Sequence, residues 1–138
     1  IVCGRMLLID AKDDVIGERF NDGVTFGGLL DGRAQVNQPG SFYRTELVRQ
    51  VGYLDEGLHC AMDYDLWLKL AQISGVLETD RVLARHRLQE HSKTCSEYFR
   101  FLPEIRKIRK KFHGSLCCRM TWNLFRCELG LIRRRLFH

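Results

Sequence analysis

Several features that would define a specialised class of protein are missing from this sequence. No apolar run approaches the roughly 20 residues that a membrane-spanning helix needs. The opening stretch Ile1–Asp10 is too short for a signal sequence and is interrupted by Arg5. Proline occurs only twice, and a charged fraction of 28% argues against a disordered chain. The 138 residues, 45% of them hydrophobic, are enough for one domain with a buried core.

The cysteines do not form a recognisable framework. There are six, without a C-x-x-C pair or the ligand spacing of a zinc site, and the vicinal pair Cys117–Cys118 could not form two ordinary bridges without strain. We therefore expect reduced, mostly buried thiols in a cytosolic protein.

Positive charge is concentrated at the end of the chain. From residue 95 onward eleven Lys and Arg stand against three Glu, a net charge of +8, whereas the whole chain carries +5. Residues 1–94 therefore carry −3. This asymmetry predicts two parts with different roles, residues 1–94 and residues 95–138.

Apolar patterning predicts strands alternating with helices. Extended segments are expected at Ile1–Asp10, Val15–Ile16, Ser41–Arg44 and Val76–Leu88. A short helix is expected around Phe26–Leu30, a second over Glu46–Val51 with Thr45 as N-cap, and a third from Asp63 to Gly75. Two longer helices should follow, Ser96–Lys111 and Ser115–Phe137. The fold class is α/β, with too few strands for a complete doubly wound sheet.

Four motifs follow one another in a specific order. They read VCGRMLLIDAKDDVIG from Val2, QPGSFYRTELVRQVGYLDEGL from Gln38, DYDLWLKLA from Asp63 and LARHRLQEHSKT from Leu83. This order resembles the acceptor-side, C-terminal half of family 2 glycosyltransferases. The resemblance covers roughly residues 2–94, and the order of the four motifs makes it fairly specific.

This resemblance implies both a fold and an activity. The fold would be a partial GT-A (Rossmann-like) domain, and the reaction an inverting transfer of a sugar from a nucleotide-diphosphate-sugar to a hydroxyl of a saccharide or lipid-linked acceptor, in polysaccharide or glycan biosynthesis. The donor-binding half, with an Asp-x-Asp motif and most ligands of a divalent metal (Mg or Mn), would lie upstream of Ile1. These 138 residues alone are then expected to be inactive.

The resemblance maps the catalytic base onto Asp63. Inverting sugar transfer needs a carboxylate that takes the proton of the acceptor hydroxyl. The start of a helix offers such a group a rigid mount beside backbone N–H groups. Met62 stands where many relatives have Glu, so one carboxylate of the family's acidic pair is absent. The alternative is that Asp63 is an ordinary N-cap, and we interpret Asp65 as a first-turn acid that stabilises the helix dipole.

Other residues near this helix are candidates for acceptor contacts. Trp67, one turn after Asp63, and Tyr64 carry aromatic faces of the kind that pack on pyranose rings. The alternative for Trp67 is core packing beside Leu66. His59 precedes the helix and is a candidate for acceptor or phosphate contact, the alternative being a plain loop histidine.

The last motif supplies candidate cations for the leaving group. Arg87 and Lys93 are predicted diphosphate contacts, with surface salt bridges as the alternative. The family often has a histidine near the metal two residues after this arginine, but Gln89 occupies that position here. His91 is the remaining candidate metal ligand in this segment.

The basic segment 95–138 has three interpretations. Two amphipathic helices could attach the protein to an anionic membrane, which would place it at the inner face of a membrane beside lipid-linked acceptors. Alternatively, they form a helical hairpin that packs on the catalytic domain, with solvated charges. Nucleic acid ranks last, because no nucleic-acid fold signature accompanies the charge. The competing function for the whole chain is a non-catalytic binding or peripheral membrane-associating module.

Overall fold

The computed structural model describes residues 1–21, 23–88 and 98–114. Four strands, β1 to β4, span Val2–Ile9, Val15–Arg19, Ser41–Phe42 and Leu77–Arg87. Four α-helices, α1 to α4, span Phe26–Asp31, Thr45–Gln50, Met62–Ile73 and Tyr98–Lys111, and a short 3-10 helix spans Gln38–Gly40. The predicted α/β class is confirmed for these ranges. The predicted helix Ser115–Phe137 lies outside the described residues.

Strand β1 is the centre of a mixed sheet. On one side it pairs in parallel with β4 along its whole length. On its other side it pairs antiparallel with β2 near its end and with β3 near its beginning. The central position explains why Cys3, Met6 and Ile9 are buried. Burial raises the pKa of the Cys3 thiol to about 11, aided by the nearby Glu78 carboxylate, so this thiol is unreactive at neutral pH.

Strand β4 bulges where it passes Gly4. The register between β1 and β4 shifts on both sides of Arg5, because β4 uses more residues than β1 over the same length. A Cβ atom on Gly4 would lie 2.4 Å from the Leu83 side chain and 2.8 Å from the Arg81 carbonyl oxygen. Glycine is therefore required at this position by the close approach of β4.

The largest hydrophobic core lies around α3 rather than on the sheet. Leu66, Trp67, Leu68 and Leu70 are buried there, together with Leu29 of α1 and Ile105 and Ile108 of α4. Full burial of a single leucine or isoleucine side chain contributes about 1.5–3 kcal/mol relative to exposure. Helix α3 is therefore held on several sides at once, which gives the residues at its beginning a rigid support.

Helix α4 uses its apolar side for this core. Leu102, Ile105 and Ile108 are buried, whereas Arg106 and Lys110 on the opposite side are exposed. Residues 98–114 thus share one hydrophobic core with residues 24–70. For this helix the contacts match the packing alternative, with most of its cations solvated. Within the described ranges no helix is long and apolar enough to cross a membrane.

One local prediction about a helix end is wrong, and one alternative is excluded. Thr45 is the first residue of α2 and not its N-cap, which is Arg44 in an extended conformation without a side-chain capping bond. Helix α3 is capped by Ala61, whose side chain cannot accept a hydrogen bond, so Asp63 is its second residue and not an N-cap. The helices thus begin earlier than these favoured capping residues would suggest, with the cap one residue before Thr45 and two residues before Asp63.

Candidate functional site

The carboxylate of Asp63 lies half-buried in the first turn of α3. Its Oδ1 atom accepts a 2.8 Å hydrogen bond from the Tyr64 backbone N–H. Among the described residues no lysine, arginine or histidine side chain pairs with it. Asp63 therefore satisfies one free amide of the helix start without being neutralised by a cation.

The environment of Asp63 favours its protonated form. Burial raises the pKa of this carboxyl above its ordinary value, and the backbone N–H groups of Tyr64 and of Asp63 itself only partly oppose the increase. A carboxylate with a raised pKa is a stronger base than one in water. This property is required of a group that removes a proton from a hydroxyl.

Asp65, two residues further on, has a different environment. Its side chain is 0% exposed, and the ammonium groups of Lys69 and Lys111 each lie 2.8 Å from one of its carboxylate oxygens. Lys69 also donates to the Tyr53 carbonyl oxygen at 3.0 Å. We call Asp65, Lys69 and Lys111 the Asp65 ion cluster. The first-turn position predicted for Asp65 is confirmed, and the cluster joins α3 to α4 and to the turn at Tyr53 in addition.

Glu104 of α4 binds the segment that leads into α3. Its Oε1 accepts the His59 backbone N–H at 2.8 Å, and its Oε2 accepts those of Cys60 and Ala61, also at 2.8 Å. Desolvation raises the pKa of Glu104, but these three amides and the charge of His59 outweigh it, so that the pKa lies below its ordinary value. Glu104 is therefore a charged acceptor at the entry to the helix.

The aromatic residues around α3 divide into buried and exposed rings. Trp67 is only 4% exposed and meets the Tyr43 ring edge-on, with 5.5 Å between the ring centroids. The Tyr64 hydroxyl donates to the Leu29 carbonyl oxygen at 3.1 Å and joins α3 to α1. The contacts of Trp67 are those of a core residue. The exposed ring beside it is Tyr43, at 45% exposure.

The remaining predicted contacts in the described residues are His59 and Arg87. His59 is exposed, and its backbone is fixed by Glu104. Arg87, at the end of β4, donates to the Asp10 carbonyl oxygen at 2.7 Å and to Asp13 Oδ1 at 2.5 Å. In the part of the chain that the structure describes, no hydrogen bond or ion pair joins Arg87 to α3. Arg87 therefore contacts the turn between β1 and β2.

The other predicted site residues cannot be placed. Lys93 and His91 lie outside the described residues. Within the described ranges no group of three or more His, Cys, Asp or Glu residues is arranged to hold a metal ion. The divalent metal remains a prediction about the donor-binding half.

Sequence reasoning missed Glu104 and Lys111. Both lie in α4, where the excess of positive charge suggested membrane attachment rather than contacts of individual side chains. A usable signal was present, because Glu104 is the only acidic residue between Tyr98 and Lys111. A single acidic residue in a basic helix that packs on a core is a candidate for a specific polar contact. The identity of that partner follows only from the fold.

Comparison with known proteins adds no further identification. No protein-family model matches the chain, and no curated protein is significantly similar to it. The order of the motifs and the geometry around Asp63 are therefore the basis for proposing a function.

Proposed function

We propose that this chain is the acceptor-side half of an inverting glycosyltransferase with a partial GT-A fold, and that Asp63 is its general base. The observation that supports this proposal best is the distribution of roles among three carboxylates at the beginning of α3. Asp65 is neutralised by two lysines and Glu104 binds three backbone amides, whereas the half-buried Asp63 has no cation partner among the described residues. The carboxylate that the motif order selects is thus the one of the three with the fewest compensating contacts in the described part of the chain.

In the proposed reaction Asp63 accepts the proton of the acceptor hydroxyl. The oxygen of that hydroxyl attacks the anomeric carbon of the donor sugar, and the bond from that carbon to the diphosphate oxygen breaks on the opposite face. The positive end of α3 lies beside the base and keeps its ionised form accessible despite burial. Half-burial limits the water that could compete with the acceptor hydroxyl.

Arg87 has a secondary role in this proposal. Its guanidinium is bonded to the exposed Asp13 carboxylate, a geometry that also suits phosphate oxygens. Contact with the diphosphate would require Arg87 to exchange Asp13 for the leaving group. Lys93 remains a predicted second contact, and the metal and the nucleotide are assigned to the donor-binding half.

The proposal is tested with Asp63→Asn in a protein that carries this chain together with a donor-binding half. Asparagine keeps the shape of the side chain and the acceptor for Tyr64, but it cannot take a proton. Turnover should fall by about 10²–10⁴-fold with donor binding nearly unchanged. Transfer to the acceptor and binding of the donor are measured separately.

The matched control is Asp31→Asn, which removes an exposed carboxylate at the end of α1. This variant should keep normal turnover. Normal turnover in Asp63→Asn as well would exclude the base assignment and favour a non-catalytic module.

A further inference from the structure

Helix α4 is fixed to the beginning of α3 by two polar contacts on either side of an apolar one. Glu104 binds the backbone of 59–61, Ile105 and Ile108 enter the core, and Lys111 reaches Asp65. The partners in these contacts are separated by more than forty residues in sequence. The position of the first turn of α3 therefore depends on α4.

We propose that Glu104 is a positioning residue for Asp63. The inference rests on the proposed function of Asp63 as a base. By binding three consecutive amides before α3, Glu104 fixes where the helix begins and leaves the Asp63 carboxylate directed toward the acceptor rather than toward the loop backbone.

The need for such a residue follows from the local sequence. Ala61 cannot cap α3, and the segment 58–61 contains no serine, threonine, aspartate or asparagine that could do so. Glu104 accepts the amides of 59–61, so its removal would take this charged acceptor from three consecutive N–H groups at once. Hydrogen bonds to charged acceptors are stronger than those to neutral ones, so the chain would rearrange to compensate for their loss.

In such a rearrangement the released amides would bind the carboxylate of Asp63. Asp65 is held by Lys69 and Lys111, whereas in the described part of the chain Asp63 interacts only with the backbone N–H groups of Tyr64 and of its own residue. A shift of the helix start would also expose Asp63 to water. Both changes would take the base away from its proposed position.

Charged groups on the neighbouring elements do not replace Glu104. On α3 the closest charges in sequence are Asp65 and Lys69, which pair with each other. On α4 Lys111 belongs to the same cluster and Lys107 is exposed, and in the preceding loop His59 lies next to Glu104. Asp31, the last residue of α1, and Arg33 just after it pair with each other in solvent. None of these side chains can accept the three amides.

The test compares Glu104→Gln with Glu46→Gln in the 138-residue chain. Both variants remove one negative charge, but Glu46 is exposed on α2. Glutamine offers one acceptor oxygen where two are used, so amide exchange at 59–61 should become faster by about tenfold or more. The Asp63 carboxyl, followed by carbon-detected NMR titration, should show a pKa lowered toward its ordinary value, because its burial is relieved. Glu46→Gln should change neither quantity.

If Glu104 stabilises the fold but does not position Asp63, the result is different. In that case Glu104→Gln would melt earlier, but the folded protein would keep the wild-type pKa of Asp63, and the inference would be overturned. Glu104→Asp keeps the charge and shortens the side chain by one methylene, so it covers the case in which Glu104→Gln does not fold. It should shift the pKa of Asp63 in the same direction by less, and an unchanged pKa in this variant would equally overturn the inference.

Catalysis separates this inference from the proposed function. In a protein with a donor-binding half, Glu104→Gln should lower kcat by about tenfold to a hundredfold with donor KM unchanged, after correction for the folded fraction. If Asp63→Asn retains turnover, the base assignment fails, while the exchange and titration results still decide whether Glu104 positions Asp63. If Asp63→Asn is inactive and Glu104→Gln has normal kcat, only the positioning role fails.

Discussion

The beginning of α3 and the ends of β1 and β4 both carry charged residues, but the two regions use them differently. At α3, Asp65 is fully buried between two lysines, and Glu104 binds three amides. At the strand ends, Arg87 reaches an Asp13 side chain that is largely exposed. The buried Asp65 has lost its water and depends on its partners, whereas the exposed pair of Arg87 and Asp13 exchanges partners at little cost.

Asp63 is the exception in the first region. It shares the helix turn of Asp65, yet among the described residues it has neither a lysine partner nor a set of amides comparable to that of Glu104. Asp65 and Glu104 connect α3 and the segment before it to neighbouring elements, and Asp63 makes no such connection in the part of the chain that the structure describes. Under the proposed function, the base is therefore a residue with few structural contacts in a region where charges otherwise support the fold.

The largest expected effect is on Asp65. Asp65→Asn removes the charge that compensates Lys69 and Lys111, and it should lower the free energy of unfolding by about 3 kcal/mol. The value lies at the lower end for a broken buried pair, because Lys111 is half-exposed and can turn to solvent. Chemical denaturation of Asp65→Asn and Asp63→Asn side by side measures the difference. Equal losses in the free energy of unfolding of the two variants would show that the two carboxylates do not differ as described.

A smaller effect is expected at the strand ends. Arg87→Met should change the free energy of unfolding by less than about 1 kcal/mol, as for other exposed pairs. Arg33→Met, which breaks the exposed pair with Asp31, is the matched control. In a protein with a donor-binding half, Arg87→Met should in addition raise donor KM by about tenfold if the guanidinium contacts the diphosphate. A loss of stability as large as that of Asp65→Asn would remove the contrast between the regions.

Local patterns in the sequence predicted the elements better than the contacts between them. The strand at Val2–Ile9, the helix around Leu66–Leu70 and the extended segment before Arg87 follow from apolar spacing, which is a local property. The prediction of Thr45 as an N-cap was wrong and the N-cap alternative for Asp63 is excluded, because tertiary contacts can replace a cap. The acceptor that binds the backbone before α3 is Glu104, which lies 43 to 45 residues away in sequence. No local rule connects them.

The motif order selected Asp63, but it could not show why the neighbouring acids are unsuitable. That difference arises from Lys111 and Glu104, both of which reach α3 only because Ile105 and Ile108 bring α4 to the core. The choice of Asp63 from motif order thus stays a prediction, whereas the contacts that distinguish it from Asp65 and Glu104 depend on packing and could not be predicted from the sequence.

The smallest expected effect is a difference in stability between Asp63→Asn and wild type that depends on pH. Burial raises the pKa of Asp63 in the folded protein, so the folded state binds this proton more tightly than the unfolded chain does. Ionised Asp63 therefore lowers stability above its folded pKa and has no such effect below its unfolded pKa. Asp63→Asn should unfold at the same temperature as wild type or higher near neutral pH, with the advantage vanishing in acid.

Thermal unfolding of both proteins from roughly pH 3 to pH 7 gives the difference directly. Glu104, whose pKa is lowered, contributes stability that is lost as the pH falls, but it does so equally in both proteins and cancels. Lower stability of Asp63→Asn at neutral pH would mean that the carboxylate serves the helix start, as a first-turn acid does. Higher stability would mean that the chain retains a charge its fold does not need, which is expected of a residue kept for its chemistry.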